Sequence, residues 1–142
     1  MAELRNLWII VTTSMQQDAD TDDGFALDLR VSPFPAPNGT SVRIPFPDLP
    51  SSDERERGAT DQYLFKPRHS SPINMDFVDG DDISITILGD DAWLPSSIWA
   101  IGEDANGTRR LIAGEPDWPT SVSRGWFSTD PAEGRATRSL QF

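Results

Sequence analysis

Strict alternation of apolar and polar residues is the sequence feature that most limits how this 142-residue chain can fold. The clearest runs are 25–31, 41–46 and 83–87, where apolar side chains occupy every second position. Because successive side chains of a strand point to opposite faces of a sheet, this pattern predicts strands with one buried face. No window of ten or more residues has the spacing of an amphipathic helix, so we expect little or no helix.

Five further segments are predicted as strands, which brings the total to eight. They are 7–14, 61–66, 97–103, 108–113 and 123–128. The run LWIIV at 7–11 is apolar at consecutive positions, so we expect this strand to be more fully buried than the alternating ones. The pair Asn106-Gly107 is typical of a tight hairpin turn. With 12 Pro and 10 Gly spread through the chain, these features predict an all-β fold, an antiparallel eight-stranded β-sandwich.

The length fits one domain whose core is large enough to fold without metal or disulfide staples. We assign residues 1–132 to this domain and expect 133–142 to be a frayed tail or, alternatively, a docking peptide for a partner. There is no cysteine, which excludes disulfides, zinc thiolate sites and a cysteine nucleophile. The apolar run 7–11 is too short for a signal-peptide core or a membrane span, so we expect a soluble chain. The sequence does not indicate its cellular compartment.

The charge balance is strongly acidic, with a net charge of −11 and a pI near 4.3. Nucleic-acid binding requires Lys and Arg to face the phosphates, so a nucleic-acid partner is not expected. Of the 23 acidic residues, 17 are Asp. Aspartate is common in turns and in oxygen-ligand metal sites, which fits a loop-rich β protein.

The most acidic loop is QDADTDDGF, residues 17–25. Its first aspartates have the spacing of an EF-hand calcium loop, but Asp23 occupies the position that requires glycine and Leu29 the position that requires glutamate. The flanking segments also read as strands and not as helices. This loop therefore needs ligands from elsewhere in the chain if it binds a cation.

Three segments resemble the PLAT family, a β-sandwich module also found in lipoxygenases. They are Thr21-Asp22-Asp23, the run ERGATDQY at 56–63, and ISITILGDDAWLPSSIWAI at 83–101. The chain departs from the family pattern at Gly89, where the family has histidine, and in residues 67–81, which look like an insertion. The resemblance implies a non-catalytic binding module whose loops bind calcium and support membrane attachment.

The alternating direction of successive strands, which we call strand parity, indicates which loops lie at the same end of the sandwich. If the strands alternate in direction, the loops at 15–23, 47–60 and 89–97 leave the sheet at one end, provided that residues 73–77 do not form another full strand. The aspartates expected there as calcium ligands are Asp18, Asp20, Asp22, Asp90 and Asp91, with Asp23 and Asp53 beside them. Trp93 and Leu94 follow directly and are predicted to contact a membrane or partner. The alternatives are a solvated acidic rim without a metal, and a Trp93 side chain that folds back onto the core.

Enzymatic signals are weak. His69, the single histidine, lies in a loop-like run, and no G-x-S-x-G nucleophile motif or Gly-rich phosphate loop is present. The sequence therefore predicts a non-catalytic module that docks to a membrane surface or a protein partner. It does not specify the oligomeric state. The alternatives are a structural or adaptor subunit of a larger assembly, or a calcium-stabilised carbohydrate-binding module. The tryptophans considered for sugar stacking are Trp93, Trp99, Trp118 and Trp126.

Overall fold

The computed structural model describes residues 2–31, 41–47, 55–68, 72–118 and 125–140. The strands are β1 (Leu4–Thr13), β2 (Phe25–Arg30), β3 (Ser41–Pro45), β4 (Thr60–Phe65), β5 (Ile83–Ile87), β6 (Pro95–Asp104), β7 (Arg109–Glu115) and β8 (Thr137–Ser139). Two short 3-10 helices, Met75–Phe77 and Gly80–Asp82, are the helices of the described residues. The predicted all-β fold is confirmed.

The strands form two four-stranded antiparallel sheets. Sheet A has the order β4-β1-β6-β7, and sheet B has the order β3-β2-β5-β8. The core lies between them, because the apolar residues of each alternating run point inward: Ile9 of sheet A and Leu27 and Ile85 of sheet B are fully buried. Burial of each such side chain contributes roughly 1.5–3 kcal/mol to folding.

The predicted hairpin between β6 and β7 is present and has a local cause. The Asp104 carboxylate accepts hydrogen bonds from the backbone N–H groups of Asn106 and Thr108, both at 2.9 Å. Gly107 has a φ of 81°, a left-handed conformation that glycine adopts without steric cost. The side chain that precedes the turn and the glycine within it therefore fix the register of this hairpin.

Residues 73–77 do not cross the sheet. Asn74 makes an isolated bridge with Glu3, and its side chain then caps the first 3-10 helix by accepting a hydrogen bond from the backbone N–H of Asp76 at 3.0 Å. This local side-chain bond diverts the chain into a turn and away from a strand ladder. The condition on which the predicted loop arrangement depended is therefore met.

Two predictions near the C-terminus are wrong. Of the strand expected at 123–128, residues 125–128 are described, and Phe127 makes only isolated bridges there, with Trp93 and Arg135. The frayed tail expected from residue 133 instead contains β8, which pairs with β5, and Leu140 is buried after it. An apolar anchor next to a three-residue strand explains why this segment is ordered; a role for it as a docking peptide stays a prediction.

Candidate functional site

Four connections begin and end at one end of the sandwich, which we call the loop end. They are the segments 14–24, 46–59, 88–94 and 116–136, placed there by the strand registers. The predicted meeting of the first three loops is confirmed. The fourth connection was not predicted, because a strand at 123–128 and a tail from residue 133 were expected in its place. Asp53 and His69 lie outside the described residues.

Direct hydrogen bonds join the two acidic loops. The Thr21 hydroxyl donates to the backbone carbonyl of Asp91 at 2.8 Å, and the Asp91 N–H donates to the Asp23 carboxylate at 2.6 Å. The backbone N–H of Asp22 lies 3.4 Å from Oδ2 of Asp91. A Cβ at Gly89 would lie 2.2 Å from Oδ2 of Asp23, so this contact requires glycine at the position where the family pattern has histidine. The carboxylates of Asp23 and Asp91 therefore hold the loops together.

An acidic pocket of about 320 Å³ lies between these loops and the fourth connection. It is lined by Gln17, Asp18, Asp90, Asp91, Ala92, Trp126 and Glu133. Three of the five predicted calcium ligands thus share one pocket, whereas Asp20 and Asp22 do not line it. Glu133 was not predicted, because it belongs to the segment 133–142 that was expected to be a tail.

The donor chemistry of this pocket suits calcium, which binds carboxylate oxygens, but the side-chain arrangement does not yet form a ligand set. Among the described residues, no three His, Cys, Asp or Glu side chains stand close enough together to hold a metal ion. A calcium ion would therefore require the pocket carboxylates to turn toward one another.

Trp93 and Leu94 are core residues, which corrects their predicted role in surface contact. Trp93 is 2% exposed, Leu94 is fully buried, and the Trp93 indole N–H donates to the Thr13 hydroxyl at 2.9 Å. The Trp93 ring packs edge-on against Phe25 and close to Phe127. Its indole finds both an apolar site and a hydrogen-bond partner inside the sandwich, so burial satisfies the whole side chain.

Trp118 and Trp126 are buried as well, so three of the four tryptophans considered for sugar stacking lie in the core. Among the described residues of the loop end, the exposed large apolar side chains are instead Met15, which is 73% exposed, and Leu88, which is 56% exposed. Met15 lies in the first acidic loop, and Leu88 begins the second. Neither stood out in the sequence, since a single apolar residue in a loop carries no periodic signal.

The sequence also did not indicate a role for Arg55. It is buried, and its guanidinium donates hydrogen bonds to the Tyr63 hydroxyl at 2.7 Å and to the backbone carbonyl of Asp23 at 2.9 Å. The same group lies over the Phe25 ring, 4.8 Å from its centroid. Arg55 thereby ties the second connection of the loop end, residues 46–59, to the first acidic loop.

A different surface covers the outward side of sheet A, and we call it the outer face. It consists of Trp8, Ile10, Leu64, Trp99, Ile101 and Leu111, which lie in two adjacent rows across the sheet. Leu64 and Leu111 are 42% and 56% exposed, and the other four are half-buried. The prediction that 7–11 is a more fully buried strand is confirmed, since none of its five residues is exposed. Trp8 and Ile10 nevertheless point outward, and no described residue covers this face completely.

The outward side of sheet B is polar by contrast. Asp28 accepts bonds from Arg43 at 2.8 and 3.0 Å, and Arg30 pairs with Asp82 at 2.7 Å. The hydrogen bond to Asp82 raises the pKa of Arg30, and the hydrogen bonds to Asp28 raise the pKa of Arg43. Only one of the two sheets therefore presents an apolar exterior.

Comparison with known proteins identifies the fold. No protein-family model matches the chain, and no curated protein matches it. The structure is similar to that of the alpha-toxin from Clostridium absonum, with a TM-score of 0.68 and 16% identity over 99% of this chain. It is also similar to an alpha-toxin of Clostridium perfringens from avian strain SWCP, with a TM-score of 0.65 and 20% identity over 98% of this chain.

The chain spans 32% of the length of each toxin chain. At these identities the likeness concerns the fold alone, so the resemblance to PLAT modules is supported at the level of a β-sandwich. None of the helices in the described ranges has the length and apolar character needed to cross a membrane.

Proposed function

We propose that this chain is a non-catalytic binding module that docks to a membrane surface through its loop end, with calcium as an accessory ligand. The observation that carries the proposal is the exposure of Met15 and Leu88 on the loop end, which also contains the acidic pocket. They take the contact role that the sequence analysis gave to Trp93 and Leu94. The PLAT resemblance and the fold shared with the toxins support this assignment.

The expected affinity is low. Complete burial of a Met or Leu side chain contributes roughly 1.5–3 kcal/mol, so transfer of the exposed parts of both side chains into lipid contributes roughly 2–4 kcal/mol. The net charge of −11 and the aspartates at the same end oppose approach to an anionic surface. Apolar insertion alone therefore gives weak docking.

Calcium would reduce this electrostatic repulsion between the loop end and an anionic surface. A cation in the acidic pocket would neutralise part of the charge on Asp18, Asp90, Asp91 and Glu133, and it would provide a bridge to anionic head groups. The proposal accordingly predicts stronger docking to anionic vesicles with calcium than without it.

Vesicle sedimentation tests docking, and the chain offers a matched pair of variants. Leu88 on the loop end and Leu111 on the outer face are equally exposed, at 56%. In millimolar Ca²⁺, Leu88→Glu should reduce sedimentation with anionic vesicles by about tenfold or more, since it replaces an apolar insertion with a charge. Leu111→Glu should sediment like the wild type. Equal sedimentation of all three proteins would refute docking through the loop end.

Thermal unfolding tests the calcium part separately. A ligand that binds only the folded state raises Tm with its concentration, so millimolar Ca²⁺ should stabilise the wild type and stabilise Asp90→Asn less. Mg²⁺ serves as the control for general screening of charge. If Ca²⁺ and Mg²⁺ leave Tm equally unchanged, calcium has no place in the function.

A further inference from the structure

We infer that the outer face of sheet A packs against the outer face of a second copy of this chain. The six residues of the outer face form a continuous apolar surface, on which two leucines are about half exposed. Exposed apolar patches of this extent, bordered by polar residues, mark interaction sites. The inference is independent of membrane docking, because the outer face and the loop end share no residue.

The six residues of the outer face are uncharged in a strongly acidic chain. Beside them, Glu103 pairs with Arg109 at 2.9 Å, and two further exposed side chains at that end of sheet A, Arg5 in β1 and Lys66 directly after β4, are basic. The Arg109 guanidinium also lies over the Trp8 ring, 4.8 Å from its centroid. Two chains that each carry a charge of −11 repel one another most where their acids face, so an uncharged face is where two copies can approach. Depletion of charge and enrichment in tryptophan are typical of interface cores.

The arrangement of the four central residues is self-complementary. Trp8 pairs with Ile101 across the two central strands, and Ile10 pairs with Trp99 in the next row, so the tryptophans occupy one diagonal and the isoleucines the other. A twofold axis in the plane of the interface, whether along or across the strands, places each tryptophan of one copy against an isoleucine of the other. Large side chains thus face smaller ones, which is what an isologous interface of two identical surfaces requires.

The area is sufficient for a specific dimer. Four strands spaced about 4.8 Å apart, with the two apolar rows and one polar row on either side, outline a face of roughly 500 Å². Two such faces together bury roughly 1,000 Å², which reaches the size of a specific interface. The outward side of sheet B, with its ionised pairs, lacks this character.

Sedimentation equilibrium through the micromolar range tests the inference. The mass of the wild type should rise with concentration toward twice the 15.7 kDa of the chain. Leu111→Glu should weaken dimerisation by about a hundredfold, because each tenfold loss occurs twice in a symmetric interface. Leu88→Glu, the same substitution at equal exposure, should leave the dimer constant unchanged. Far-ultraviolet circular dichroism of both variants verifies that they fold.

A second measurement locates the interface without disturbing it. Since the chain has no cysteine, a single nitroxide can be attached at Gln62→Cys, beside the outer face, or at Ser41→Cys, on the far side of sheet B. The distance between the labels of the two copies should be shorter for Gln62→Cys than for Ser41→Cys by roughly 20 Å. Each copy adds one spacing between stacked sheets, about 10 Å, between the Ser41 label and the interface.

The outcomes are distinguishable from those of membrane docking. A wild type that stays monomeric, or a dimer unaffected by Leu111→Glu, overturns the inference. A monomer that loses vesicle binding through Leu111→Glu and not through Leu88→Glu overturns it too, and would assign the outer face to lipid. A dimer sensitive to Leu111→Glu that ignores vesicles supports the inference while it refutes the proposed docking.

Discussion

Replacing Trp93 by alanine separates a core role from a surface role for this residue. The substitution removes a side chain that is 2% exposed and packed against two phenylalanine rings, and a cavity of this kind costs about 3–5 kcal/mol. It also leaves the buried Thr13 hydroxyl without its indole donor, which costs roughly 1 kcal/mol more. For a domain of 142 residues, we expect Tm to fall by roughly 10–20 °C.

Urea unfolding followed by circular dichroism measures the free energy of unfolding, and vesicle sedimentation at low temperature measures docking of the same sample. Trp93→Phe is the control, because it retains most of the ring packing and loses only the hydrogen bond, at a cost of about 1–2 kcal/mol. Both variants should sediment with vesicles like the wild type as long as they are folded.

The opposite result would refute this reasoning. If Trp93→Ala keeps the stability of the wild type and abolishes sedimentation, the side chain contacts lipid and does not support the core. The prediction that Trp93 contacts the membrane would then be correct. Trp93 would be buried in the free protein and become exposed when the protein docks.

Two further predictions concern contacts at the loop end and on sheet A. Arg55→Ala removes charged hydrogen bonds to the Tyr63 hydroxyl and the Asp23 carbonyl, so urea unfolding should show a loss of roughly 2–4 kcal/mol; retention of full stability would contradict the anchoring role. A hydrogen bond from Arg109 lowers the pKa of Glu103 below its ordinary value of 4.5, so its stabilising effect is present above that pH and is lost as the pH falls through the folded-state pKa. Glu103→Gln should therefore make Tm fall less on acidification below that pH, and an unchanged pH profile would contradict the pairing.

Much of the fold could be predicted because alternation is a local signal. The runs at 25–31 and 83–87 became β2 and β5 within a residue or two at each end. Alternation failed at the C-terminal end, where β8 has three residues and is too short to display a period. That strand forms through its pairing with β5 and through burial of Leu140, which are long-range contacts.

The candidate site was predictable in outline and not in detail. Strand parity correctly brought the acidic loops together, since it depends only on the number of strands and their direction. It could not indicate that Asp91 is bonded to Asp23 or that Glu133 lines the same pocket, because these contacts depend on how the loops pack. The burial of Trp93 depends on a hydroxyl 80 residues away, Thr13, which no local pattern reveals.

The apolar run at residues 7–11 gives the strongest indication of assembly. A strand that is apolar at consecutive positions is typical of sheets covered on both sides. Sheet A buries Leu7, Ile9 and Val11 inside the sandwich and turns Trp8 and Ile10 outward. Such an exterior in water favours aggregation unless a specific partner covers it. The consecutive apolar residues of 7–11 therefore fit a strand whose outward side is covered in a dimer. Leu111→Glu tests whether a second copy of the chain covers it.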